Sequence, residues 1–109
     1  MEMQREGEGE VAVIFVSRRN GEDAAGYDAA AAAMDALAAS QPGYRGVDSV
    51  RDGDGVGITI SYWADTVSAQ AWRDHPEHVT IRERGRACWY DWYRVKVTTT
   101  TRAYAWTRP

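Results

Sequence analysis

The chain has 109 residues, with 13 Lys and Arg against 16 Asp and Glu, a formal net charge of −3 and a single cysteine. This is enough for one domain with a modest core and a surface-to-volume ratio that favours association. The mildly acidic balance supplies no field that draws the chain to nucleic acid or an anionic membrane. Cys88 alone excludes an internal disulfide and fits a reducing compartment. No stretch approaches the ~20 apolar residues of a membrane helix. The expectation is a cytoplasmic protein whose ligand is a small molecule, with no nucleic-acid or membrane partner.

The opening MEMQREGEGE has neither the basic start nor the apolar stretch of a secretion signal and nothing to bury, so residues 1–10 read as a disordered lead-in to a domain over 11–106. VAVIFV from Val11 is apolar at both alternating sets of positions, Val11, Val13 and Phe15 against Ala12, Ile14 and Val16, as in a strand covered on both sides. A helix follows from about Ala24 to Ser40, where Tyr27, Ala30, Ala31, Met34, Leu37 and Ala38 form a stripe at helical spacing; Gln41-Pro42-Gly43 ends it. Tyr44 to Arg51 is a second strand whose imperfect alternation leaves room for a bulge. Asp52-Gly53-Asp54-Gly55 then reverses the chain into a third strand, Val56 to Tyr62, with Val56, Ile58, Ile60 and Tyr62 on one face.

The stretch from Ser61 to Tyr93 holds four of the five tryptophans and both histidines, and is the place to look for chemistry. Asp65 or Thr66 can cap a short helix through Arg73; Pro76 disfavours helical backbone at His75 but suits the first turn of a new helix, so the helix kinks and restarts. On the restarted helix His78, Ile81, Gly85 and Cys88 share one face, so His78 faces inward, and an inward imidazole can accept, donate or ligate near neutral pH. His75 and His78 with Asp74 or Glu77 offer no third metal ligand at a usable position. The Arg82, Arg84 and Arg86 cluster, interleaved by Glu83, reads as a solvated face. Trp89 to Tyr104 is rich in aromatic and β-branched residues and reads as one strand of up to about fifteen residues, long against the usual ~5 to 6.

The element order is βαββαβ, hence an α+β, ferredoxin-like fold: an antiparallel four-stranded sheet with helices on one face. The second face is left bare. The doubly apolar first strand and the overlong last one point to a homodimer in which two sheets close on each other as a dimeric α+β barrel, enclosing an apolar cavity.

Together, AVIFVSRR, QPGYRGVDS, GITISYW, the run from Trp72 to His78, ERGR and WYDWY resemble the antibiotic biosynthesis monooxygenase family, a dimeric α+β barrel group that includes haem-degrading monooxygenases. The resemblance spans about residues 11 to 106. It implies a small-molecule monooxygenase that oxidises an aromatic, polyketide-like substrate with no cofactor required. The alternatives are a haem-binding or haem-degrading enzyme and a non-catalytic ligand-binding protein of the same fold. Catalytic roles fall on His78 and Trp72, and substrate contacts on Phe15, Trp63, Trp89, Trp92 and Arg94; Arg18 is a second choice for holding an oxyanion. No resident metal is expected. In the haem branch His78 would hold the iron and Trp72 would match the working tryptophan, while Ser17 stands about where that branch has an asparagine in its first strand.

Overall fold

A computed structural model describes residues 9–109, so most of the expected lead-in lies outside the described residues. Strand β1 (Val11–Arg19) is followed by helix α1 (Ala24–Ala39), the hairpin β2 (Tyr44–Arg51) and β3 (Val56–Trp63), and helices α2 (Thr66–Arg73) and α3 (Pro76–Arg84). One π-helical turn (Gly85–Trp89) leads into β4 (Tyr90–Thr99). The strands form one antiparallel sheet in the order β2-β3-β1-β4, the ferredoxin-like arrangement.

Local chemistry sets the boundaries. Asp65 caps α2 by accepting the Ser68 N–H; His75 caps α3, its Nδ1 accepting the Glu77 N–H with Pro76 in the first turn. At the hairpin, the Asp52 carboxylate accepts the N–H groups of Asp54 and Val56, and Gly55 supplies a φ of 88°.

Directly paired residues share a face of the sheet. Val11, Val13, Phe15 and Ser17 of β1 therefore lie with Trp63, Ser61, Thr59 and Gly57 of β3 and with Thr99, Val97, Val95 and Tyr93 of β4. This is the helical side, because Val11 and Trp63 are buried with Ala38 of α1 and with Ala69 and Trp72 of α2. Trp63 is the largest side chain with no exposed surface. The other side carries Ala12, Ile14 and Val16, Ile58, Ile60 and Tyr62, and Trp92, Arg94 and Lys96. No helix covers it.

Two register shifts change which side chains meet the helices. One, between Tyr44 and Gly46 on β2, is the irregularity that the broken alternation predicts; the other lies opposite Arg18 and Arg19, at Asp91 of β4. Each adds one residue to its strand and so turns a tyrosine, Tyr44 or Tyr90, onto the helical side. Tyr44 there meets Trp63, and Tyr90 meets Phe15 and Tyr27.

The final strand is shorter than its composition suggests. Trp89 belongs to the π turn, and β4 stops at Thr99; residues beyond it have no regular structure, and Tyr104 and Trp106 are exposed. The reason is its neighbour. Among the described residues β4 pairs only with β1, which starts at Val11, and the last rungs join Thr100 to Glu10 and Gly9. Strand length thus carries no argument for a second subunit. Replacing Trp63 by alanine is expected to lower the free energy of unfolding by about 3–5 kcal/mol. Val50→Ala, at an exposed edge position, should change it by less than about 0.5 kcal/mol. Denaturant titration of the two variants checks both.

Candidate active site

The kinked helix pair brings Trp72 and His78 together. The six-residue interval spans the end of α2 and the first turn of α3, and the break at His75 folds the second helix back over the first. The His78 ring lies flat on the Trp72 indole, with centroids 4.5 Å apart and planes at 9°. Trp72 in turn stacks on Trp63 at 6.1 Å, and Tyr44 meets Trp63 edge-on at 5.7 Å. The result is a column of four rings that runs from the sheet to the helical surface.

The tautomer of His78 follows from its partner. Nδ1 is 3.0 Å from the Trp72 carbonyl oxygen, and a carbonyl only accepts, so Nδ1 carries the hydrogen in the neutral ring and Nε2 keeps the lone pair. Burial pushes the imidazole below its usual range. The Trp72 carbonyl opposes that shift, and the charge of Arg82, then the neighbouring His75, reinforce it. His78 is therefore a neutral base with one free acceptor nitrogen at pH 7. His75 also touches the Trp72 ring, at 5.7 Å, but its Nδ1 is committed to the helix cap. Among the described residues no three His, Cys, Asp or Glu side chains are grouped as metal ligands would be.

The helical face of β4 is open: Val95 is 48% and Val97 62% exposed, though both belong by register to the side on which the helices pack. These two valines form an exposed apolar strip on the helical side of β4.

The remaining expected site residues divide. Trp63 is core, and so is Trp89, whose indole N–H donates to Asp23 and whose ring meets Tyr27 edge-on. Phe15 is on the helical side against Tyr90 and Tyr93. Trp92 and Arg94 are on the bare face, the guanidinium 5.0 Å from the ring centroid, and Arg18 there faces Asp91 at 3.9 Å. The inward-facing His78 thus does not look toward the cavity expected between two sheets. His78 belongs to the helical layer, and the sheet separates it from the face that a second copy would cover.

Ser17, which the resemblance sets where the haem branch has an asparagine, stands apart from this column. Ser17, fully buried, is six positions along β1 from Val11, the partner of Trp63, or about 20 Å at the rise of a strand. Its hydroxyl accepts from Arg51 instead.

Sequence reading passed over a second cluster at that far end. Arg19 lies 3.6 Å over the Tyr27 ring, and Arg51 donates to the Tyr27 hydroxyl. Burial, then the neighbouring Tyr27 phenol, raise the Tyr90 pKa above the ordinary range. The signal was the hairpin register, which sets Arg51 opposite Gly57; a Cβ at Gly57 would lie 2.5 Å from the Arg51 Cζ.

The fold is that of the antibiotic biosynthesis monooxygenases, and residues 11–84 match that family; the chain belongs to it. It is 49% identical over 86 residues, 79% of this chain and 75% of the other, to the uncharacterized protein YqjZ of Bacillus subtilis (strain 168). Among solved structures it resembles SnoaB of Streptomyces nogalater, described as a cofactor-independent oxygenase, with a TM-score of 0.73 at 20% identity over 87% of this chain and 96% of that one. Rv0793 of Mycobacterium tuberculosis aligns with a TM-score of 0.76 at 16% identity over 88% and 99% of the two chains.

No helix among the described residues is long and apolar enough to cross a membrane.

In solution the His78 imidazole should titrate below the usual ~6.5, as read from its ring protons by NMR. The unfolded chain then binds more protons than the folded one between the lowered pKa and about 6.5, so stability rises with pH through that window and is lost as pH falls through it. His78→Gln should flatten this part of the stability profile between about pH 5 and 8 in urea titrations.

Proposed function

We propose that this protein is a homodimeric small-molecule monooxygenase that oxidises an electron-rich polycyclic phenol or its keto tautomer with no cofactor, using His78 as the base. The observation that carries this reading is the His78 ring held flat on Trp72 with Nδ1 turned to a carbonyl and Nε2 left free. Membership of the monooxygenase family and the fold shared with a cofactor-independent oxygenase support it.

The chemistry asks little of the protein. Nε2 removes a proton from the substrate, and the carbanion-like anion passes one electron to dioxygen. The resulting radical and superoxide combine at carbon to form a peroxide. Protonation by the His78 imidazolium and loss of water leave a carbonyl, so one oxygen atom ends in the product and the other in water. The substrate is its own reductant. Trp72 fixes the imidazole by stacking on it.

The lowered pKa of His78 narrows the substrate. Proton transfer to it costs about 1.4 kcal/mol for each unit by which the substrate is the weaker acid. Acidic anthrol-type compounds are therefore favoured over simple phenols. Oxygen uptake with an anthrol in metal-free buffer should depend on the enzyme and fall by about 10²–10⁴-fold in His78→Ala. Unchanged uptake in that variant would remove His78 from the mechanism.

Dimerisation rests on the bare sheet face, where Ile58 and Trp92 are exposed beside Ile14, Val16 and Ile60. A contiguous apolar surface of this kind marks an interaction site. Sedimentation should give twice the chain mass of 12.2 kDa, and Ile60→Asp, which sets like charges against each other across a two-fold contact, should give monomers. A wild-type monomer at every concentration would defeat the dimer.

A further inference from the structure

At the end of the sheet far from His78, the last residue of β1, the tip of the β2–β3 hairpin and the start of α1 enclose a cleft of about 340 Å³ lined by Arg19, Arg51, Asn20, Gly53, Asp54 and Gly55. Two guanidinium groups share one tyrosine: Arg19 stacks 3.6 Å from the Tyr27 centroid, and the Arg51 Cζ is 5.7 Å from the same point. Both are held in place. The Gly55 carbonyl accepts the Arg19 backbone N–H and an Arg51 Nη1–H, while Arg51 Nη2 donates to the Ser17 and Tyr27 hydroxyls.

These partners are all neutral. Among the described residues Arg51 forms no ion pair, and Arg19 reaches only the solvent-exposed Asp28, at the 4.0 Å limit of one. The Arg19 Nε is buried without an acceptor. Asp54 at the rim is the one carboxylate in the wall of the cleft. Two neighbouring cations, largely withdrawn from water and set against phenols rather than carboxylates, carry a desolvation cost that a shared anion would offset. Arg51 still has its Nε–H and one Nη1–H unused, and a fork of this kind suits a planar or tetrahedral oxyanion.

We infer that the Arg19–Arg51 cleft is a binding site for a small oxyanion, a carboxylate or a phosphate group, separate from the His78 site. Trp63, at the base of the ring column that carries His78, pairs with Val11, and Arg19 stands eight residues further along β1, about 26 Å at the rise of a strand, too far for one compact substrate to bridge. The cleft therefore takes a second ligand, and its occupancy is read by binding, independently of oxygen uptake.

The test is an NMR titration of the ¹⁵N-labelled full chain at constant ionic strength with inorganic phosphate, with acetate and with chloride. The expected result is saturable movement of the Asn20, Gly53 and Gly55 amides and the Arg19 and Arg51 Nε–H signals with phosphate, acetate or both. Saturation by one alone identifies that group as the ligand chemistry. Arg51→Gln and Arg19→Gln should each weaken binding at least about ten-fold, the loss of one charge-assisted hydrogen bond, whereas Arg86→Gln, outside the cleft, should not. Because Arg51 also ties Ser17 to Tyr27, Arg19→Gln decides the matter if Arg51→Gln does not fold. Non-saturable shifts equal to those with chloride, or undiminished affinity in Arg19→Gln, would overturn the assignment.

Discussion

The contact on which the rest of the structure depends is the packing of Trp72 on Trp63. Trp63 closes β3 on the helical side, pairs with Val11 across the sheet and loses all of its surface. An indole of this size buries more apolar area than any other core side chain here, so its position fixes where α2 can lie. Once α2 is docked there, Trp72 is fixed, and the His78 ring on its outer face takes its place from a rigid support. Stability and chemistry share one stack of rings.

The break at His75 gives that stack its outer member. A straight helix would put residues six positions apart on different faces, since six residues turn it by about one and two-thirds revolutions. Ending α2 and restarting α3 at Pro76 folds the chain instead, so that Nδ1 of His78 reaches the carbonyl of Trp72 itself. A proline, a capping histidine and a helix-end carbonyl that accepts the His75 N–H and still has a lone pair to spare thus produce a base of defined tautomer.

The elements were legible in the sequence because their signals are local: alternation in β1 and β3, the alanine-rich stripe of α1, the Asp-Gly reversal, and the proline restart. Trp72 and His78 were singled out by the family resemblance, whereas the contact between their rings follows only from how the chain folds back at the restart. The side of the sheet on which they lie was not, because an inward-facing residue on a helix can be assigned to a cavity only once the layers are known. The extent of β4 was hidden likewise, since composition reports strand preference, while length depends on how far the neighbouring strand runs. The Arg19–Arg51 cluster escaped because its members come from three separate segments and meet through the hairpin register.

The sheet ends in two unlike borders. β2, on one side, is broken by the shift at Gly46; β4, on the other, carries Lys96 and a run of threonines. Unpaired backbone groups along such borders invite further strands, and a kink or a charge discourages their addition. A kink at one margin and a lysine at the other thus discourage the sheet of this molecule from being extended by strands of its neighbours.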